Sequence, residues 1–158
     1  YGIEITKEIV SQTSQRLAEK GYKPNLDVGR NSNMPYENEK FDYMLACHCC
    51  YYCDEGETLL DNLAEYCRVL KKGAFLIASV ADIESYIFND AEKLDDGTMI
   101  IKNDPYGVRN GYRLKGFASS NEIEEYFSKY FTNFSFARAD NNYYGVEEKL
   151  FWLVCEKK

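Results

Sequence analysis

The sequence predicts an α/β protein whose sheet is mostly parallel and closes in a C-terminal antiparallel hairpin. The apolar runs at residues 41–46 and 74–80 are continuous rather than alternating, which is typical of parallel strands buried on both faces. The segment between them carries apolar residues at helical spacing, so the three together predict a strand, a helix and a second parallel strand. The alternating residues 134–137 and the last apolar run, 150–155, predict the closing hairpin.

Length and composition indicate one domain, residues 1–158. The chain is 45% hydrophobic and 28% charged, which is ordinary for a globular protein with its own core. Its net charge of −7 disfavours nucleic acid or an anionic membrane as the main partner. No apolar run approaches the roughly 20 residues of a membrane span, and no signal-peptide pattern opens the sequence, so we expect a cytoplasmic protein.

Six cysteines raise the question of disulfides or a metal. Cys47, Cys49, Cys50 and Cys53 lie close together, but only Cys50 and Cys53 have the spacing of a zinc-ligand pair, and no second pair follows. A chain that can build a core does not need disulfides for stability. We therefore expect reduced thiols that pack as small apolar residues, and no metal site.

The first elements predicted are a strand end at residues 1–5 and a helix that is capped by Thr6 and ended by Gly21. Glu4 closes the strand just before the helix. Nucleotide-binding α/β proteins can hold ribose hydroxyls there, because a carboxylate accepts two hydrogen bonds from a cis-diol. A solvated glutamate favoured by the helix dipole is the alternative. The helix is expected to turn one stripe inward: Ile9, Val10, Thr13 and Leu17.

Two polar loops follow predicted strands. The strand at 26–28 leads into the loop 29–36, and the strand at 41–46 leads into a cysteine-rich loop. Ligands of open α/β sheets lie beyond the carboxyl ends of the strands, so residues 46–52 are the first candidate for a functional site. The next helix is expected to stop at residues 71–73. Its predicted inner face is Leu59, Leu60, Leu63, Ala64, Cys67 and Leu70.

This central stretch resembles the middle of a class I S-adenosylmethionine-dependent methyltransferase. The matching features are Phe41-Asp42 in the strand, His48 in the loop, and Arg68-Val69-Leu70-Lys71-Lys72-Gly73 at the helix end, with Ala74 replacing a second glycine. The resemblance implies a Rossmann-like sheet, S-adenosylmethionine as cofactor and S-adenosylhomocysteine as product. It also implies methyl transfer to a small-molecule acceptor, with the choice among oxygen, nitrogen and carbon nucleophiles left open.

The resemblance assigns the parts of the cofactor to three loops. Glu4, with Ile5 beside it, would hold the ribose, and Asn31 and Ser32 would lie near the adenine. Arg30 stands where the family commonly has a hydrogen-bond-accepting aspartate, and an arginine cannot accept. A plain polar loop is the alternative for this segment. The methionine part of the cofactor would pass Ala46, Cys47 and His48.

His48 is the only histidine and the candidate catalytic residue. An imidazole exchanges protons near neutral pH, so His48 could take a proton from a substrate hydroxyl or amine during methyl transfer. A packing or hydrogen-bonding role is the alternative. Tyr51 and Tyr52 are expected at the same mouth, either flanking a sulfonium by cation–π contact or simply packing.

Residues 82–117 are expected to form an insertion that caps the acceptor site. The turn signals at Asp104–Gly107 and Asn110–Gly111 predict a hairpin of residues 98–102 and 112–117. The resemblance implies that Tyr106, Arg109 and Arg113 face the acceptor, and two arginines would suit a carboxylate or a phosphate. A surface hairpin with solvated charges is the alternative.

The C-terminal third is predicted as a helix, a strand and a strand. Ser119 or Ser120 would cap the helix at 121–131, and Asn141-Asn142 would form the turn of the hairpin. This order resembles the methyltransferase sheet, whose last strand is inserted antiparallel. Rossmann-type dehydrogenases lack that hairpin, so the ending favours the methyltransferase interpretation.

The family has a glycine-rich turn ~20 residues before the ribose acid. Only three residues precede Glu4, so we expect that the glycine-rich part lies outside this chain and that the exposed sheet favours pairing, as in a homodimer. We further expect the strand of Glu4 and the strand at 41–46 to share one sheet. Two alternatives remain: a methyltransferase-like binding or assembly domain without catalysis, which Arg30 favours, and another Rossmann-type nucleotide enzyme.

Overall fold

The computed structural model describes all 158 residues. Its helices are α1 (Lys7–Glu19), α2 (Leu59–Val69) and α3 (Ser120–Phe127), with a single 3₁₀ turn at Tyr86–Phe88. Its strands are β1 (Gly2–Glu4), β2 (Leu26–Val28), β3 (Phe41–Ala46), β4 (Leu70–Ala81), β5 (Glu92–Lys93), β6 (Met99–Ile100), β7 (Arg113–Leu114), β8 (Phe131–Tyr143) and β9 (Val146–Lys157). No helix is long and apolar enough to cross a membrane.

The main sheet has the strand order β3-β4-β9-β8. Strands β3 and β4 are parallel, whereas β9 runs antiparallel between β4 and β8, which confirms the C-terminal hairpin and the inserted last strand. The prediction of a mostly parallel sheet is wrong, because the antiparallel ladders are longer than the parallel one and the sheet is mixed. The protein is nevertheless α/β in class.

The hairpin turn lies at Tyr144-Gly145, not at Asn141-Asn142 as predicted. Both turn residues have positive φ, 56° and 86°, the geometry of a two-residue turn that matches the twist of the flanking strands. Asn141 and Asn142 instead pair with Glu148 and Glu147 inside the ladder. The helix before the hairpin also ends earlier than predicted, since β8 already begins at Phe131.

The prediction that Glu4 and residues 41–46 lie in strands of one sheet is wrong. Strands β1 and β2 form their own parallel pair, and a groove of about 390 Å³ separates β1 from β3. Aromatic side chains fill part of this gap: the ring of Tyr36 lies edge-on to Tyr1 and Phe41, with centroids 5.9 and 5.0 Å away. Helix α1 packs on this small sheet with its predicted stripe only half-buried.

Helix α2 joins the two parallel strands and begins with a capping box. The Thr58 side chain accepts a hydrogen bond from Asp61 N, and the Asp61 carboxylate accepts one from Thr58 N. Its buried residues are Leu59, Asn62, Leu63, Tyr66 and Val69, so the inner face is rotated relative to the prediction. The reason is the cysteine-rich loop, which packs on this face and whose Cys50 O and Tyr52 O accept hydrogen bonds from Asn62 Nδ2.

The helix was predicted to stop at residues 71–73, but these residues lie within β4. Leu70 already pairs with Phe41, the register then shifts, and Gly73 takes a φ of 76° that favours glycine. Residues 82–117 carry the small sheet β5-β6-β7, in which β6 and β7 pair antiparallel as the predicted hairpin requires, over shorter strands. This segment rests on the main sheet through Phe117, whose N donates to Ala81 O.

Candidate active site

A cleft of about 320 Å³ lies beyond the carboxyl ends of β1, β2 and β3. Four residues predicted to bind a cofactor line it, namely Glu4, Ile5, Asn31 and His48. Tyr52 and Arg113, which were predicted to contact an acceptor, line the same cleft. Residues far apart in the chain therefore meet at one mouth, which is where open α/β sheets bind ligands.

Glu4 lies at the end of β1, and its backbone is anchored on both sides. Glu4 O accepts a hydrogen bond from Gly29 N at 3.0 Å, which ties β1 to the loop after β2. One carboxylate oxygen, Oε1, accepts a hydrogen bond from Thr13 Oγ1 at 3.3 Å. The other oxygen has no partner in the protein, so the carboxylate keeps free acceptor capacity toward the cleft.

Gly29 forms a wall of the cleft that has no room for a side chain. A Cβ at this position would lie 3.0 Å from Pro35 Cδ and 3.1 Å from Ile3 Cγ2, closer than ordinary van der Waals contact. The backbone after β2 can therefore pass close to β1 only with glycine here.

The side chains of Asn31 and Ser32 are already occupied by protein contacts. Asn31 Nδ2 donates to Cys49 O at 2.7 Å, and its Oδ1 accepts from Tyr66 Oη at 2.7 Å. Ser32 Oγ donates to Glu57 at 2.6 Å and does not line the cleft. The Asn31 side chain thus holds the cysteine-rich loop against α2. Only the backbone of Asn31 is left to contact a ligand.

Arg30 and Asp54 form an ion pair of 2.6 Å at the rim of the cleft. The pair joins the loop after β2 to the loop before α2. Sequence reasoning noticed Arg30 as a departure from the family pattern but missed its partner. The pair sets a carboxylate beside the guanidinium, so this part of the cleft can both donate and accept hydrogen bonds.

His48 lies at the centre of the site in a backbone conformation that few residues adopt. Its φ is 53°, in the left-handed region, and its N donates to Ser79 Oγ at 2.9 Å. The ring lies edge-on to Trp152 with centroids 6.5 Å apart, and its Nδ1 is 3.7 Å from Glu148 Oε1. Such conformations persist where the surroundings enforce them, often at functional sites.

Ala46 and Cys47, the other residues predicted along the methionine part, do not line the cleft. Ala46 is buried and lines the groove between β1 and β3. Cys47 is exposed, and its sulfur accepts a hydrogen bond of 3.8 Å from Ser79 Oγ. All six cysteines are free thiols, and burial raises the pKa of Cys53 to about 11 and that of Cys155 to about 12.

A second cavity, which we call the outer cavity, lies on the far side of His48. It measures about 350 Å³, and its lining includes Tyr86, Tyr106, Arg109, Tyr143 and Glu148. A small space of about 20 Å³ separates it from the cleft and is lined by residues of both, including His48, Tyr52, Arg109 and Glu148. Tyr51, predicted at the mouth, is buried behind this small space.

The two predicted acceptor arginines have different surroundings. Arg109 borders both the small space and the outer cavity, and its Nε donates to Tyr52 Oη at 3.0 Å. Burial raises the pKa of Tyr52, and the nearby Arg109 guanidinium offsets part of this rise. Arg113 borders the cleft instead, where it is paired with Asp96 and donates to Thr98 Oγ1 at 2.8 Å.

Sequence reasoning missed five residues of the outer cavity: Tyr86, Val108, Tyr143, Val146 and Glu148. The predicted last strand began at residue 150, so Glu148 was assigned to a loop. The lone histidine was a signal that a carboxylate should be sought nearby, but only the β9 register brings Glu148 to it.

A family model described as a methyltransferase domain matches residues 1–78. No curated protein sequence matches the chain significantly. A methyltransferase structure from Methanosarcina mazei is 16% identical with a TM-score of 0.74, covering 99% of this chain and 80% of that one. A methyltransferase structure from Clostridium acetobutylicum is 16% identical with a TM-score of 0.62, covering 99% of this chain and 74% of that one. The N-methyltransferase NodS of Bradyrhizobium japonicum, solved with S-adenosylhomocysteine, is 10% identical with a TM-score of 0.61, covering 98% and 64%.

The methyltransferase-domain match over residues 1–78, the mixed sheet and the cleft at its strand ends indicate a methyltransferase of α/β fold. The fold is that of S-adenosylmethionine-dependent methyltransferase structures, and S-adenosylmethionine is the cofactor of this kind of domain. The resemblance noted from residues 41–74 is confirmed.

The residues of the cleft fit this cofactor, a nucleoside joined to a sulfonium cation. Glu4 has a free carboxylate oxygen for a ribose hydroxyl, and Gly29 lines the cleft beside it. Tyr52 lies in the same cleft, and its aromatic face favours a cation.

Proposed function

We propose that the protein methylates a small molecule, with the cofactor held in the cleft, the acceptor in the outer cavity and His48 between them. The continuity of the cavities supports this arrangement. His48 and Tyr52 border both the cleft and the small space, while Tyr86, Arg109 and Glu148 border both the small space and the outer cavity. The two ligands would thus meet beside the histidine.

Different residues of the cleft bind different parts of the cofactor. Glu4 binds the ribose hydroxyls, the main chain at Gly29 and Asn31 lies along the adenine, and Tyr52 covers the sulfonium side near His48. The bound cofactor supplies an electrophilic methyl group on a positively charged sulfur. The contribution of the protein is alignment, because direct displacement requires the nucleophile close to the methyl carbon and in line with the breaking bond.

His48 moves the proton that an oxygen or nitrogen acceptor loses. Its Nδ1 faces Glu148 at 3.7 Å, which leaves Nε2 as the atom that accepts the proton. Glu148 acts through His48, since its carboxylate fixes the ring orientation and stabilises the charged imidazole. The left-handed backbone at His48 and its bond to Ser79 hold the ring at the junction of the cavities.

Residues 82–117 would cap the acceptor. Tyr86, Tyr106 and Arg109 come from this segment and meet Tyr143 and Glu148 of the hairpin across the outer cavity. Asp104 stabilises the loop, because its buried carboxylate accepts hydrogen bonds from Val108 N and Arg109 N at 3.0 and 2.9 Å. The acceptor pocket therefore lies between the segment and the hairpin.

Calorimetric titration with S-adenosylhomocysteine tests the cleft assignment. We expect Glu4→Gln to weaken binding by ~1–3 kcal/mol, the loss expected for a hydrogen bond to a charged group. Glu8→Gln is the matched control, since Glu8 lies exposed in the first turn of α1, and its affinity should equal that of the unchanged protein. Equal affinities for Glu4→Gln and Glu8→Gln would reject the ribose assignment.

A binding or assembly domain without catalysis predicts a different result. Such a domain would release no S-adenosylhomocysteine from S-adenosylmethionine with any acceptor, even where the cofactor binds. Mass-spectrometric detection of product formed with a broad panel of small acceptors separates these two functions.

A further inference from the structure

The positive charge at the outer cavity is neutralised by the protein itself. The Arg109 guanidinium lies 3.8 Å from Asp104 Oδ2, and the Asp104 side chain is fully buried. Its Nε is occupied by Tyr52 Oη. A buried carboxylate is stabilised by a nearby cation, so Asp104 offsets the positive charge that Arg109 brings to the outer cavity.

The negative charge of Glu148 has no such partner. Its Oε2 accepts one hydrogen bond, from Asn141 Nδ2 at 3.3 Å, and its Oε1 faces His48 Nδ1 at 3.7 Å. A carboxylate can accept about four hydrogen bonds, so capacity remains on both oxygens. The side chain is 22% exposed, which leaves it accessible to a ligand but partly shielded from water. The outer cavity therefore carries a net negative charge.

Three tyrosines surround this carboxylate. Tyr86, Tyr106 and Tyr143 line the outer cavity together with Glu148 and add aromatic faces, which attract cations through the ring quadrupole. The combination of an unbalanced carboxylate and several aromatic rings selects a positively charged group carried on an apolar body. A carboxylate or phosphate ligand would meet repulsion from Glu148 instead.

We infer that the acceptor is an amine that is protonated in solution and binds with its ammonium group against Glu148. This inference rests on the proposed function and names the substrate class of its acceptor site. The ammonium must give up one proton before it can attack, and His48, whose Nδ1 faces Glu148, takes that proton at Nε2. The freed nitrogen lone pair then forms the new nitrogen–carbon bond as the carbon–sulfur bond of the donor breaks, which leaves a neutral thioether.

Three probes of similar shape and different charge test the inference. Phenethylamine is a cation at neutral pH, 2-phenylethanol is neutral and 3-phenylpropionate is an anion. Calorimetry of the full chain, with and without S-adenosylhomocysteine, should show phenethylamine binding at least about tenfold more tightly than the other two. Because binding is read directly, the result does not depend on methyl transfer.

Glu148→Gln removes the charge at nearly constant shape and should abolish the preference for phenethylamine over 2-phenylethanol. Glu147→Gln is the control, because Glu147 is the exposed neighbour on the other face of β9 and should leave the preference intact. The inference would be overturned if the amine and the alcohol bound with equal affinity, if the carboxylate bound more tightly, or if no probe bound. It would also be overturned if the preference for the amine survived Glu148→Gln. Loss of S-adenosylhomocysteine binding, by contrast, would count against the proposed function alone.

Discussion

Glu148 Oε1 on β9 lies 3.7 Å from Nδ1 of His48 in the loop after β3. The contact connects the C-terminal hairpin to the carboxyl end of the central parallel pair. It forms because β9 is inserted between β4 and β8, so that a residue near the hairpin turn reaches the outer cavity and the small space next to His48. The strand order therefore determines which carboxylate lies next to His48.

This contact predicts coupling between the two residues in catalysis. His48→Gln should lower kcat by about 10²-fold, the lower end of the range for general acid–base catalysis, and Glu148→Gln should lower it less. In the double variant the second change should cost little more in kcat, because in the proposed mechanism Glu148 acts on the proton transfer through His48. Steady-state kinetics with an identified acceptor measure all four proteins.

The same four proteins form a double-mutant cycle, which separates the two proposed roles of Glu148: binding the ammonium group and acting through His48. Its effect on the KM of an amine acceptor should persist in the His48→Gln background, because ammonium binding does not require the imidazole. Its effect on kcat should not persist. Independent, additive losses in kcat would show that Glu148 does not act through His48, and Glu147→Gln supplies the baseline for charge removal on β9.

The Asn31 bridge predicts a stability effect that is separate from ligand binding. Asn31→Ala leaves Cys49 O and the buried Tyr66 hydroxyl without their partner and should cost about 1–3 kcal/mol of unfolding free energy. Adding Tyr66→Phe should recover part of this loss, since removing both partners of a buried bond is less costly than removing one. Urea denaturation of the two single variants and the double variant provides the measurement; a further loss in the double variant would contradict the bridge.

The central strand–helix–strand unit and the closing hairpin could be predicted from sequence because their apolar runs are dense and their lengths distinctive. Glu4 and His48 could also be predicted to share a cleft, since each lies at the carboxyl end of a predicted parallel strand, where α/β proteins bind ligands. The split between β1 and β3 was not predicted, and the aromatic contacts of Tyr1, Tyr36 and Phe41 that bridge it join residues far apart in the chain, which no local pattern indicates.

The outer cavity shows a second reason for failure. Residues 146–149 are Val-Glu-Glu-Lys, a polar run with little strand preference of its own, yet they pair with residues 140–143 in the ladder. Cross-strand bonds and the Tyr144-Gly145 turn extend the strand beyond its apolar part. A site residue within such an extension cannot be located from hydrophobic runs, and Glu148 is such a residue.

The capping box of α2 predicts a moderate loss of stability when Thr58 is replaced. Thr58→Ala removes the side chain that accepts from Asp61 N and should cost about 1 kcal/mol of unfolding free energy. Glu55→Ala, an exposed change in the same loop, should stay within about 0.5 kcal/mol. Chemical denaturation compares the two, and equal losses would mean that the cap does not stabilise the helix.

Cys155 predicts how stability depends on alkaline pH. Its thiol is fully buried in β9, and burial raises its pKa from an ordinary value of 9.0 to about 12. Between these values the unfolded chain has lost the thiol proton and the folded chain has kept it, so the free energy of unfolding falls as pH rises from 9 toward 12. Cys155→Ala should make this decline shallower, by at most about 1.4 kcal/mol per pH unit.

The buried thiols Cys50 and Cys53 and the buried tyrosines add to the same decline, because burial raises their pKa values too. The informative quantity is therefore the difference in slope between variants, not the slope itself. Val154→Ala, the adjacent change without an ionisable group, should lower stability at every pH and keep the slope of the unchanged protein. Urea midpoints measured from pH 8 to 11 would refute a buried, protonated Cys155 if Cys155→Ala and Val154→Ala declined in parallel.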